Sequence, residues 1–442
     1  MRNFWLAVVC IPALADQLQT RPPVLQLSLK QAVAIALAPE GSTRVQLAQE
    51  SLQQAQSRQA QARAALLPDL EGNLSYQNEV RNLNTAGIQF PSIPGFHFPT
   101  IVGPFDVFDV RASVNQSVFD VPSILRYQAS KTAVASAKSD NDGTRDQVTD
   151  QVARAYLAAV HSEALKETAQ ANVELSEALL HLARSQKEAG TGTGIEITRA
   201  QVQLANDHQR LIAAENEVGN SHLRLLKTLG LKLNNPVELT DKLNYTPPAS
   251  LTLDEALATA RTNRAELRAQ TAKETTAQLN FSAVKYERLP SLGAFADYGT
   301  TGASINSAFP TRTLGLSVRL PVFDGGRRDA RRRESGSLYR QEKIRTTDLR
   351  DQIELDVRVA LDNLRSADAQ VKTAQEGLEL SQNELAQAQR RYQAGVTNGL
   401  EVTDAQTRLD RARENQVTAM YLYNLARIDL STATGTIQST IQ

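Results

Sequence analysis

The sequence predicts a mixed α and transmembrane β fold. Its unit is a two-repeat protomer of long antiparallel helices plus four β-strands, and several copies are needed to close a barrel. Three observations carry this. First, the chain repeats itself once: Leu27, Leu29 and Ala32 return as Leu251, Leu253 and Ala256, Leu67-Pro68 returns as Leu289-Pro290, and Val118-Phe119-Asp120 returns as Val322-Phe323-Asp324. The clearest match starts at Ala189 and recurs without a gap from Ala394 to Gln406. Second, the long helical stretches carry a heptad seam that is small at every other place. Third, four runs of about 10 residues alternate apolar and polar side chains, the pattern of a transmembrane strand. A single large repetition implies two halves and not a solenoid of small units.

The elements follow in order. Residues 1–15 read as an export signal: Arg2 supplies the positive end, Phe4 to Ile11 is apolar, and Ala13-Leu14-Ala15 is a small-x-small cleavage site. Cys10 follows Val8-Val9, which argues against lipidation. Cleavage after Ala15 removes the sole Cys and the sole Trp, and an exported chain without Cys points to the periplasm or the outer membrane.

Residues 16–230 form the first repeat: a helix near 28–66, two strands, a very long helix near 123–188, a turn and a helix near 196–229. Leu70, Gly72, Leu74 and Tyr76 make one strand face, and Val110, Ala112 and Val114 the next. The loop between these strands, near 82–106, carries Pro91, Pro94, Pro99 and Pro104 and is expected outside the cell. Residues 231–250, with Pro236, Pro247 and Pro248, link the halves.

Residues 251–435 repeat the plan, with strand faces at Leu292, Ala294, Ala296 and Tyr298 and at Leu314, Leu316, Val318 and Leu320. The seam of the second long helix, near 326–393, includes Ile353, Val357, Ala360, Leu364, Ala367 and Val371, and it continues past the turn at Val402, Ala405 and Leu409. Each long helix would span about 100 Å, and the two shorter helices of a half, stacked end to end, would match it. Residues 436–442 are read as a tail. Four strands cannot close a barrel, for which about eight is the minimum.

Composition excludes other classes. Lys+Arg and Asp+Glu are both 48, so no basic excess speaks for a nucleic-acid partner. Mean hydropathy is −0.35, and no apolar run after residue 15 reaches the roughly 20 residues of a membrane-spanning helix. The five histidines form no HExxH pattern, and His161, His181, His208 and His222 are expected on solvated helix faces. No cofactor, metal site or catalytic constellation emerges. Gly190-Thr191-Gly192-Thr193-Gly194 lacks the Lys-Ser/Thr of a phosphate loop and reads as turn chemistry, with Gly194, Gly395 and Gly399 as its companions. Arg327, Arg328, Arg331, Arg332 and Arg333 read as a solvated basic face at a strand-to-helix junction.

The L-[ST]-L-x-x-A openings at 27–32 and 251–256, the two Leu-Pro junctions, Pro321-Val322-Phe323-Asp324-Gly325-Gly326, and Arg391-Tyr392-Gln393-Ala394-Gly395 followed by Leu400-Glu401-Val402-Thr403-Asp404-Ala405-Gln406 together resemble the TolC-like outer-membrane efflux family. The resemblance covers almost the whole chain after the signal. It implies a homotrimer with a 12-stranded β-barrel in outer-membrane lipid, continued by an α-helical barrel across the periplasm. It also implies docking to a periplasmic adaptor (membrane fusion) protein and to an inner-membrane transporter or secretion ATPase.

The family's periplasmic gate and selectivity ring maps onto Glu401 and Asp404, and its latch onto Tyr392 and Glu196. Thr397 stands where some members carry a basic residue, and Arg199 stands where the first half would match Asp404. The function implied is a passive exit duct of a tripartite efflux pump or type I secretion system, and not an enzyme. An exported trimeric coiled-coil scaffold or adhesin without a pore is the competing class.

Overall fold

The computed structural model describes residues 25–87, 95, 99–248 and 251–441. The export signal and most of the loop around Pro94 lie outside the described residues. In chain order the elements are β1 (Leu25–Leu27), α1 (Leu29–Leu37), α2 (Thr43–Ala64), β2 (Asp69–Asn82), β3 (Ile101–Phe119), α3 (Val121–Glu188), α4 (Gly194–Leu229), β4 (Val237–Leu239), α5 (Leu253–Asn263), α6 (Ala265–Lys285), β5 (Ser291–Gly302), β6 (Phe309–Arg319), α7 (Arg327–Gln393), α8 (Gly399–Ala433) and α9 (Ile437–Ile441).

The repeated openings are helix starts. Ser28 with Gln31, and Thr252 with Glu255, form capping boxes at the heads of α1 and α5. The helix expected over 28–66 is broken, however. Ala38 precedes Pro39 and takes an extended conformation, as residues before proline do, and Ser42 caps a new helix. The second half breaks at the equivalent place, where Arg264 leaves the helix and its guanidinium binds Asp356 and the Ala433 carbonyl. Leu67-Pro68 and Leu289-Pro290 then divert both chains from helix into strand.

The strands β2, β3, β5 and β6 form one antiparallel sheet in that order. β2 has 14 residues and β3 has 19, more than the expected run of about 10, whereas β5 and β6 have 12 and 11. The register places Leu70, Val114, Ala296 and Leu314 in one row across all four strands, and Glu71, Ser113, Asp297 and Thr313 in the next. Neighbouring rows point to opposite faces. One face is therefore apolar and the other polar.

α3 and α7 have 68 and 67 residues, about 100 Å each. α2 and α4 both pack along α3, and α6 and α8 both pack along α7, so the short helices do flank the long ones in tandem. The seam is buried at Ile353, Val357, Ala360, Leu364, Ala367, Val371, Leu385, Ala388 and Tyr392, and past the turn at Val402, Ala405 and Leu409. Small residues at every other place let the helix backbones approach, and the apolar interior is divided into short clusters along the helices.

The thickest core surrounds α1, where Leu27, Val33, Val152 and Leu225 meet, and the Tyr156 hydroxyl donates to the Leu27 carbonyl and Asp241, each at 2.9 Å. β1 pairs in parallel with β4 there, so residues 231–250 contain a strand. The expected tail is likewise structured: α9 buries Ile437 against Ala153 and Leu157. His161 also departs from expectation. Its ring stacks on Tyr421 with centroids 4.4 Å apart, and burial pushes its pKa down, because α8 covers this part of α3.

Candidate functional site: the helical tip and the sheet faces

α3 and α7 end in matching reversals. Gly190 and Gly395 stand at φ 79° and 71°, the left-handed region that side chains resist. Gly399 is closely packed instead: a Cβ there would lie 3.3 Å from the Glu196 Cγ, and the Glu196 side chain would have to give by a few tenths of an ångström. Gly194 carries neither constraint, since a Cβ would meet the Lys187 ammonium at 3.9 Å.

Glu196 joins the two halves. As the third residue of α4 it completes a capping box, its Oε2 accepting the Thr193 N–H at 2.9 Å. Its Oε1 accepts the Gly399 N–H at 3.0 Å, and the Tyr392 hydroxyl donates to Oε2 over a longer 3.4 Å. Burial pushes the Glu196 carboxyl up, but the donors from Thr193, Gly399 and Tyr392 outweigh it and hold its pKa below the usual value. Burial and the Glu196 charge push the Tyr392 phenol up. The structure thus brings Tyr392 and Glu196 together, yet the shorter inter-turn bond comes from the backbone of Gly399. A backbone donor leaves no trace in a side-chain motif.

Glu401 and Asp404 part company. Glu401 is half-buried, 2.9 Å from the Arg391 guanidinium, and accepts the Thr397 hydroxyl. Asp404 is exposed. Arg199 is exposed on α4 and lines a groove with Glu196, Tyr392 and Gln406. The surface at the tip therefore mixes signs, and Asp404 is an unsheltered carboxylate there.

At the other end, the polar face of the sheet carries Arg111 of β3, bonded to Asp109 on its own strand and to Asp297 of β5. The apolar face is bare: Leu314 is 86% exposed and Leu70 is 70% exposed. Among the described residues no helix is long and apolar enough to cross a membrane.

A sheet apolar on one face and charged on the other, prolonged by helices of about 100 Å, defines the protomer of an outer-membrane channel. The chain belongs to the outer membrane efflux protein family, whose sequence profile matches residues 34–231 and 256–436. It is 26% identical to the pyoverdine export outer membrane protein OpmQ of Pseudomonas putida, over 91% of this chain and 84% of that one. It is 25% identical to the alkaline protease secretion protein AprF of Pseudomonas aeruginosa, over 72% and 68%. Among solved structures, CusC superposes with a TM-score of 0.78 at 17% identity, covering 98% of this chain and 99% of that one. The outer membrane protein VceC of Vibrio cholerae gives 0.77 at 16% identity, over 92% and 96%.

Proposed function

We propose that three copies of this chain close a 12-stranded barrel in the outer membrane and form one continuous exit duct, with the helical tunnel reaching through the periplasm. The carrying observation is the sheet itself. Its edges, β2 and β6, run in opposite directions, so the β6 edge of one copy can pair antiparallel with the β2 edge of the next. Closure in that sense puts the row of Leu70, Val114, Ala296 and Leu314 toward lipid, and Arg111, Asp109 and Asp297 toward water. A pore-free scaffold or adhesin has no use for an apolar row on a polar-backed sheet, which favours the duct.

Passage is passive in this reading, with no chemistry performed by the chain. Energy and substrate choice come from an inner-membrane transporter, reached through a periplasmic adaptor at the tip. Relatives named for pyoverdine export and for protease secretion fit a scaffold whose cargo is set by its partners. Residues 1–15 direct export, and the two repeats supply equivalent staves to the tunnel. Glu196, with Gly399 and Tyr392, latches the two turns, and Asp404 marks the mouth. Reconstitution of the full protein in a planar bilayer tests this. The duct predicts steady ionic conductance from heat-dissociable trimers, and folded trimers that never conduct would refute it.

A further inference from the structure

Above the tip, one buried carboxylate is left without a hydrogen-bond partner. Asp207 on α4 and Asp410 on α8 are both 1% exposed. Arg210 sits between them, with Nη1 3.3 Å from Asp207 Oδ1 and 3.8 Å from Asp410 Oδ2. Asp207 is well served: it accepts from the Ser176 hydroxyl at 2.5 Å and from the Gln203 amide at 3.1 Å. Asp410 is not, since both of its oxygens are buried and neither has a hydrogen-bond partner. An ionised carboxylate in that state is strongly disfavoured.

The charges facing Asp410 do not balance. α4 contributes Asp207 and Arg210, α8 contributes Arg413 and Glu414, and α3 contributes the neutral Asn172 and Ser176. Arg413 is drawn aside, donating to the Asn172 side-chain Oδ1 at 2.6 Å. Three carboxylates thus face two guanidinium groups, and one proton restores balance. A metal ion is a poorer fit, because Arg210 already occupies the gap between the carboxylates. Burial first, and the Asp207 charge second, push the Asp410 carboxyl up to about 6.

This cluster is wired to the latch. Ser176, which donates to Asp207, accepts from the Gln406 amide at 2.5 Å. Ser176, Gln203 and Gln406 also line the groove that holds Glu196, Tyr392 and Gly399.

We infer that Asp410 holds a proton and acts, opposite Asp207 and Arg210, as a pH-operated brace between α4 and α8, regulating the tip of the proposed duct on which this inference rests. With the proton bound, the two helices stay packed and the tip stays shut. Without it, a buried charge with no hydrogen bond stands at Asp410 facing Asp207 and Glu414, α4 and α8 separate, and the turns loosen. The sign follows from linkage. A carboxyl whose folded value lies above its unfolded 3.8 favours the packed state fully below 3.8 and loses that preference as the pH rises from there through about 6.

The test uses the full-length protein in planar bilayers, titrated from about pH 5 to about pH 8. Wild-type conductance should rise several-fold through about pH 6. Asp410→Asn should stay at the low, acid level throughout, and Glu376→Gln, at an exposed position of α7, should keep the step. A wild-type-like step in Asp410→Asn overturns the brace and leaves the duct standing. Trimers that conduct at no pH overturn both. Should Asp410→Asn fail to assemble, infrared titration of the unaltered trimer decides: a buried carboxyl C=O band that disappears near pH 6 supports the proton on Asp410, and its absence overturns it.

Discussion

Replacing Glu196 by Ala should open the tip more than replacing Tyr392 by Phe. Glu196→Ala removes the cap on Thr193, the bond from Gly399 at 3.0 Å and the bond from Tyr392 at 3.4 Å. A cap is worth about 1 kcal/mol, and a half-exposed charged hydrogen bond adds about 1 more. Tyr392→Phe removes the longest bond alone, about 0.5 kcal/mol. The cap lies within α4 and is lost in open and closed states alike, so only the two bonds between the turns count; if three protomers act together, the open–closed ratio shifts by about 10³ for Glu196→Ala and by about 10 for Tyr392→Phe. Single-channel recording at about pH 5, where the tip is shut and Glu196 is still ionised, measures this as open probability. An equal or larger effect from Tyr392→Phe would show that the hydroxyl, and not the Gly399 amide, carries the latch, and would overturn the ranking of the two bonds.

Three further outcomes are expected. Asp404→Asn should reduce cation selectivity and block by multivalent cations more than Glu401→Gln, because Glu401 is already paired with Arg391; reversal potentials in a salt gradient check this. Leu314→Arg, on the exposed apolar row, should cost about 2–4 kcal/mol of insertion if that site lies near the bilayer midplane, read as loss of trimer from outer-membrane fractions. The latch should also fail in acid. The folded value of Glu196 lies below its usual 4.5, so its contribution is present above that value and lost as the pH falls through the folded one. A conductance that rises again on strong acidification, and does so less in Glu196→Gln, is the signature.

Much of this fold is written in periodicity. The steps from Ile353 through Val371 mark a buried seam, and the small residues along it stay buried because only they permit close helices. The sheet is equally legible, since Leu70 and Leu314 lie on one face by alternation alone. The breaks after Leu37 and at Arg264 are not. The first needs the local effect of Pro39, and the second has no proline and depends on contacts made by Arg264 far along the chain.

The site was half legible. The partnership of Tyr392 with Glu196 is carried by the family motif, while the Gly399 amide and the pairing of Glu401 with Arg391 require three dimensions. Asp207 and Asp410 sit on different helices and fall at no matching place in the two repeats, so nothing local announces that they meet.

Four strands per chain become a barrel only in company, and everything proposed for the duct depends on that. Native mass spectrometry of the detergent-solubilised protein, paired with conductance of the same sample, checks it without intermediaries. A conducting particle of close to three times the chain mass is the expected result. A single chain that conducts ions at the same unitary level would contradict it.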